Sequence, residues 1–273
     1  SGPPRSLRPP GPGGSAAVTV VTLAAVVGIV ALRTAGPKTT GCPQTGAAGA
    51  FHGTTYNANT VVRAGANLGA PIVMQAPPGC ALQFTGYCLG DVVVDITSGT
   101  PDLRWFKVRG GGVVSSGVVH GNPPAGMAPS DCQDSVPAPT AVALSVARPP
   151  DIPDSVELRA GGRQVAIVGF AAYFATPDGS GKGPGWQQIG LSSKAGTAFA
   201  VPWRFGPLRT SQADARVPVV AVACLGGGAP TDVLDAQSVP LDPAVADAPS
   251  AVTLSPGDRV KAERAACKYP QIG

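Results

Sequence analysis

Cysteine and histidine are the residues that could carry metal or nucleophilic chemistry in this chain, and both are few. The chain has six cysteines and two histidines. No two cysteines form a CxxC pair, and a metal site would need closer spacing with histidine support. The even number favours disulfides formed in an oxidising compartment. The residues concerned are Cys42, Cys80, Cys88, Cys132, Cys224, Cys267, His52 and His120.

The motifs of common enzymes are missing from the sequence. Neither histidine lies near a G-x-S-x-G turn, so a Ser-His-Asp site has little to build on. The stretch GSGKG at 179–183 lacks Ser or Thr after Lys182 and does not have the spacing of a phosphate-binding loop. We therefore expect a protein that is not an enzyme and that uses no cofactor.

Two pairs of acidic residues are spaced as in calcium-binding loops, Asp151 with Asp154 and Asp232 with Asp235. Each pair is isolated in the sequence, and turns use Asp for local hydrogen bonds. We expect a turn role for these residues and no metal site.

An apolar segment near the start of the chain predicts a membrane helix. Residues 15–32 are 18 residues without a charge, about 27 Å of helix, which is enough to cross a bilayer core. We predict a transmembrane helix or signal anchor over residues 15–33, preceded by a disordered Pro-rich cytoplasmic segment, residues 1–14. A cleaved signal peptide and a lipoprotein signal ending at Cys42 are the alternatives.

The positions of the cysteines and charges orient this segment. Arg5 and Arg8 precede it and Arg33 and Lys38 follow it, so the positive-inside count is a tie. Because all cysteines lie on its C-terminal side, we expect a single-pass protein of the cell membrane with its C-terminal region outside. The rest of the chain is near neutral and has no basic cluster for nucleic acid.

After a linker at 34–55, short strand-like runs separated by Gly and Pro begin. Four of these runs, in order, resemble the bacterial SH3 (SH3b) domain: VVRAGANLGAPIV at 61–73, PPGC at 77–80, RWFKV at 104–108 and GGGVVSSGVV at 110–119. Ala66 replaces the usual proline, and 88–103 is a long insertion. The resemblance implies an SH3-like small barrel over residues 56–121.

The same resemblance implies a module that binds cell-wall peptide or an envelope protein. Aromatic and charged side chains suit peptide contact. The alternative is that Trp105 and Phe106 alternate across a strand and that one of them fills the core. The candidate ligand-binding residues are Tyr56, Tyr87, Asp102, Arg104 and Trp105.

A Pro-rich linker at 122–139 precedes seven further strand-like runs, the number expected of a sandwich. Their landmarks resemble bacterial immunoglobulin-like surface domains: an aromatic strand at 170–174, Ile189 with Gly190, Phe199 with Trp203, and a Val/Ala strand at 219–224. We expect an Ig-like β-sandwich over residues 140–241 and a C-terminal extension, 242–273, with a helical turn at 261–266.

The expected folds also suggest disulfide partners. Nearness in those folds favours Cys80 with Cys88, Cys42 with Cys132, and Cys224 with Cys267.

Taken together, these features predict an all-β, non-enzymatic, membrane-anchored binding or scaffold protein of the cell envelope, of actinobacterial type. Its expected partners are cell-wall peptide or an envelope protein, and the membrane through residues 15–33. The alternative is the extracytoplasmic sensor region of a transmembrane regulator such as a receptor kinase, with a cytoplasmic domain upstream. An envelope hydrolase would need a catalytic constellation that the sequence does not contain.

Overall fold

The computed structural model describes residues 41–42, 48–152, 154–175, 183–193, 199–209, 216–226, 228–242 and 248–268, all within one unit, Gly36–Gly273. Strands dominate these residues, so the all-β prediction is confirmed. The predicted segments 1–14 and 15–33 lie outside the described residues. No helix among the described residues is long and apolar enough to cross a membrane.

The first half of the described chain, residues 48–139, forms one antiparallel sheet of seven strands. A short 3-10 helix, Ser116–Val118, joins its last two strands. The strands are β1 (Phe51–Thr55), β2 (Thr60–Arg63), β3 (Ile72–Ala76), β4 (Ala81–Val94), β5 (Pro101–Val108), β6 (Val113–Ser115) and β7 (Val119–His120). Their order in the sheet is β3-β2-β6-β5-β4-β1-β7.

Alternation of apolar and polar residues gives this sheet its buried face. Leu82 and Phe84 of β4 are fully buried, whereas their neighbours Ala81 and Thr85 are exposed, as expected when successive side chains point to opposite faces. The rings of Phe84 and Phe106 pack with centroids 5.1 Å apart. Between β5 and β6, residues 110–112 are glycines with positive φ angles, which only glycine adopts without strain.

The stretch 88–103, predicted to be an insertion, extends the hairpin of β4 and β5. Val94 pairs with Pro101, and the register shifts between Leu89 and Val93. Such a bulge bends the strand. The hairpin therefore carries the loop 95–100 beyond the main body of the sheet, toward the 3-10 helix.

The second half forms two sheets that enclose their own core. The strands are β8 (Ala141–Ala147), β9 (Ser155–Arg163), β10 (Val168–Phe174), β11 (Gly185–Ser192), β12 (Phe199–Arg204), β13 (Arg216–Gly226), β14 (Ala229–Pro240) and β15 (Ser250–Ala251). One sheet has the order β11-β10-β13-β14-β15 and the other β12-β9-β8. Phe170, Trp203 and Phe205 lie in the core between them.

Side chains of β14 form hydrogen bonds with backbone groups of β8, the edge strand of the other sheet. Asp235 of β14 accepts a hydrogen bond from the Leu144 amide at 2.7 Å, and the Gln237 Nε2 donates to the Leu144 carbonyl at 2.6 Å. Because an edge strand has unpaired backbone groups, these two bonds close the edge of β8 against the neighbouring sheet.

Two helices complete the second half, α1 (Gly206–Arg209) and α2 (Pro256–Ala266). The Ser255 hydroxyl accepts from the Asp258 amide, and Pro256 occupies the first helical position, which are standard start signals. The helical turn predicted at 261–266 is therefore the second part of a longer helix. Gln188 donates to the carbonyls of Ala266 and Lys268 at its end.

Three disulfides cross-link the fold: Cys42–Cys80, Cys88–Cys132 and Cys224–Cys267. The last pair was predicted and is confirmed. The predicted pairs Cys80–Cys88 and Cys42–Cys132 are wrong. Cys80 immediately precedes β4 and Cys88 lies within it, so about 25 Å of extended chain separates them, far beyond the reach of a disulfide.

The segment 122–139, predicted to be a linker, lies along β4. The amides of Ser130 and Val136 donate to the carbonyls of Tyr87 and Leu89, each at 2.9 Å, and Cys132 is bonded to Cys88. The predicted linker 34–55 likewise contains β1. Residues 51–55 of the first segment therefore belong to the first sheet, and the second segment packs along it.

The two halves share buried apolar surface. A single cluster includes Leu89 and Leu103 of the first sheet with Val222 and Leu225 of β13. At its margin, Gly226 lies so close to β5 that a Cβ atom there would stand 2.5 Å from the Asp102 Cα. The glycine is required for this close approach.

Candidate functional site

A polar cavity of about 280 Å³ lies at the end of the β4–β5 hairpin. Its walls come from the loop 95–100, from Asp102 and Arg104 of β5, and from the stretch 116–122. We call it the polar cleft. The bulged hairpin brings the loop opposite the 3-10 helix, which explains how parts of the chain distant in sequence meet here.

An ion pair between Asp102 and Arg104 forms one wall of the polar cleft. The Arg104 Nη2 lies 2.6 Å from Asp102 Oδ2, and both side chains are only 4% exposed. The Arg104 Nε also donates to Asp102, and the Nη1 donates to Asn122 Oδ1 at 3.0 Å. Residues two apart on a strand have their side chains on the same face. The spacing of Asp102 and Arg104 in the sequence therefore brings their side chains together. The guanidinium also lies 5.7 Å from the centre of the Phe106 ring.

Asp95 shapes the loop on the opposite wall. Its Oδ1 accepts from the Thr97 amide at 2.7 Å, the Thr97 hydroxyl at 2.6 Å and the Ser98 amide at 3.2 Å. Burial raises the pKa of Asp95, but these bonds and one from Tyr56 outweigh burial and hold the pKa below its ordinary value. The carboxylate therefore stays ionised at neutral pH.

Aromatic and hydroxyl groups complete the polar cleft. The rings of Tyr56 and His120 are stacked with centroids 4.3 Å apart, and the Tyr56 hydroxyl donates to the Gly117 carbonyl. Ser116 is 7% exposed, and its buried hydroxyl has no hydrogen-bond partner among the described residues. An unpaired buried hydroxyl is costly, so Ser116 is a group that a bound molecule could satisfy.

The loop that carries Asp95 also has exposed apolar residues. Val94 and Ile96, on either side of Asp95, are 51% and 71% exposed. Exposed apolar residues beside a polar cavity are typical of binding sites.

A second cavity of about 630 Å³ lies between the segment 122–139 and the hairpin of β13 and β14. Tyr87 and Arg104 contribute to its walls together with several prolines. The Tyr87 hydroxyl donates to the Met127 carbonyl at 3.0 Å. Burial raises the pKa of Tyr87, with a smaller raising effect of Asp102 and an opposing effect of Arg104. Tyr87 is thus a neutral, nearly buried residue.

The five predicted ligand-binding residues do not form one group. Asp102 and Arg104 line the polar cleft, and Tyr56 stacks on His120 of its wall. Tyr87 lines the second cavity, to which Arg104 also contributes. Trp105 is 1% exposed and packs with the Cys88–Cys132 disulfide, and its Nε1 donates to the Asp91 carbonyl. Strand alternation turns Trp105 away from the face that carries Asp102 and Arg104.

Sequence reasoning missed Asp95, Ser116 and Asn122. Asp95, followed by Thr97 and Ser98 after a Val-rich strand, is a signal for a turn. The sequence alone does not show that this turn lies beside Ser116. Ser116 was part of the strand-like run 110–119 and gave no functional signal. The pairing of the hairpin brings these residues together.

The acidic pairs have structural contacts. Asp235 is bonded to Leu144, and the Asp232 carbonyl accepts from Arg259. Within the part of the chain that the structure describes, no group of three or more His, Cys, Asp or Glu residues is placed to hold a metal ion.

Comparisons of the chain with protein-family models, with curated proteins and with solved structures found no match.

Proposed function

We propose that this chain is a non-enzymatic binding protein of the cell envelope that contacts cell-wall peptide through the polar cleft. In this proposal, residues 15–33 anchor it in the membrane and the remainder lies outside. The first half acts as an SH3-like module and the second as an immunoglobulin-like domain that extends it. The three disulfides support an oxidising, extracytoplasmic location.

The observation that carries the proposal is the polar cleft, together with the exposed apolar residues that flank Asp95 in the sequence. Peptides present amide donors and acceptors beside small apolar side chains. The polar cleft offers hydroxyl, carboxylate and amide groups. Val94 and Ile96, which flank Asp95 in the sequence, are exposed. Its volume of about 280 Å³ suits one or two residues of a peptide.

Retention on isolated cell walls tests this function. The full chain, with its disulfides intact, is incubated with purified cell walls and the bound fraction is measured by sedimentation. We expect retention that saturates. Ile96→Ser should weaken it about fivefold to tenfold, since an exposed apolar contact of an interface is typically worth about 1 kcal/mol or more.

Ile152→Ser is the matched control. Ile152 is also exposed, at 43%, but it lies between β8 and β9, whereas Ile96 directly follows Asp95 of the polar cleft. This variant should bind as the parent does. Absence of retention by the parent, or equal weakening by both variants, would contradict the proposal.

A further inference from the structure

The charges of the polar cleft do not balance. Among the described residues that line it, Arg104 and His120 are the ones that can carry positive charge. The Arg104 guanidinium is bonded to the Asp102 carboxylate through Nε and Nη2 and to Asn122 through Nη1. Asp102 therefore offsets the charge of Arg104, and in a formal count with histidine neutral the charge that remains is that of Asp95.

Asp95 has hydrogen-bond donors around it but no cation. Its partners in the same loop are two amides and the Thr97 hydroxyl, and the Tyr56 hydroxyl also lowers its pKa. It makes no ion pair within the described part of the chain. Because neutral donors favour the charged form, the carboxylate presents a persistent negative charge at the cavity.

Ser116 is an independent sign that a ligand group is missing. It belongs to another element, the 3-10 helix, and not to the loop of Asp95. Nine-tenths of the residue is buried in the wall of the polar cleft, and its hydroxyl neither donates nor accepts a hydrogen bond among the described residues. Buried hydroxyl groups are normally bonded.

We propose that the polar cleft recognises a primary ammonium group of its ligand, which pairs with Asp95 and donates a further hydrogen bond to Ser116. An ammonium group has three donors and no acceptor, so it satisfies a carboxylate and a hydroxyl oxygen together. This inference rests on the proposed function and deepens it. The ligand class is a peptide with a free amino group, at its terminus or on a side chain.

Two forms of the same probe test the ammonium group. Peptides released from cell walls by enzymatic digestion are used before and after acetylation of their amino groups, which removes the charge and leaves the rest unchanged. Binding to the full chain is measured by isothermal titration calorimetry. We expect the untreated peptides to bind and the acetylated peptides to lose at least tenfold in affinity.

Variants of the chain locate the contact. Asp95→Asn keeps an oxygen for the loop amides but removes the charge, and should weaken binding of the untreated peptides by about tenfold to a hundredfold. Asp91→Asn is the control, because Asp91 accepts from the Leu68 amide and does not line the polar cleft. Ser116→Ala should weaken binding about threefold to tenfold without lowering Tm, because its hydroxyl has no described partner to lose.

The outcomes separate this inference from the function on which it rests. Equal binding of untreated and acetylated peptides, by a chain that is retained on cell walls, would overturn the ammonium assignment and leave the function standing. Equal effects of Asp95→Asn and Asp91→Asn would overturn it as well. Failure of the parent chain to be retained on cell walls would remove the proposed function itself.

Discussion

Replacing Arg104 by methionine tests the buried ion pair of β5. Methionine keeps an unbranched side chain against the Phe106 ring but removes the guanidinium. The structure predicts the loss of the bonds from Nε and Nη2 to Asp102 and of the bond from Nη1 to Asn122. Asp102 would then be a buried carboxylate without a cation.

The expected cost follows from burial. Both side chains of the pair are 4% exposed, so solvent screens the interaction little. Removing one partner of a buried pair typically costs about 3 to 5 kcal/mol because the other charge is left uncompensated. In a chain of this size, that loss corresponds to a fall in Tm of roughly 10 °C.

The second half offers a matched control. Arg159 and Glu157 of β9 have the same spacing along a strand and also form an ion pair, but their side chains are 49% and 31% exposed. Arg159→Met should therefore cost at most about 1 kcal/mol. Urea unfolding of both variants beside the parent measures the difference. Equal losses in the two variants, or a loss below about 1 kcal/mol in Arg104→Met, would refute the reasoning.

Three further variants test other features of the fold. Joint replacement of Cys88 and Cys132 by alanine should lower the free energy of unfolding by about 4 kcal/mol, the loop-entropy value for their separation of 44 residues; a loss under about 1 kcal/mol in urea unfolding would contradict it. Burial raises the pKa of Tyr87, so its stabilising contribution is complete below pH 10.0 and is lost as pH rises through the raised value. Tyr87→Phe should therefore flatten the alkaline decline of Tm above pH 10, and an unchanged decline would refute this. Gly226→Ala should lower Tm by at least about 5 °C, because its φ is 106° and the new Cβ would meet Asp102; calorimetry showing an unchanged Tm would contradict the close approach.

Strand positions could be predicted from the sequence where local signals are strong. The predicted run at 104–108 lies within β5, and the predicted aromatic strand at 170–174 lies within β10. Gly and Pro punctuate these runs, and alternation marks their buried face. The length of β4 could not be predicted, because residues 88–103 lack a clear alternation of apolar and polar side chains. In addition, the pairing of β4 with β5 there depends on contacts across the hairpin.

The disulfide pairs and the candidate site could not be fully predicted, because they depend on distances between residues in the folded chain. Cys80 and Cys88 are near in sequence but lie along one extended path, so the geometry of the strand excludes their pairing. At the polar cleft, Asp102 and Arg104 share a face because they are two residues apart. Ser116 reaches them only through the tertiary fold.

The disulfides also determine how far the oxidised chain could be stretched. Each bond closes a loop, with sequence separations of 38, 44 and 43 residues. A pulling force applied at the two ends of the chain passes through the sulfur atoms and cannot extend the residues within these loops. At about 3.4 Å per residue, each loop withholds roughly 130 to 150 Å of contour length. A mechanical load that enters at Cys42 is transmitted directly to Cys80 at the start of β4, so β1, β2 and β3 lie outside the load path.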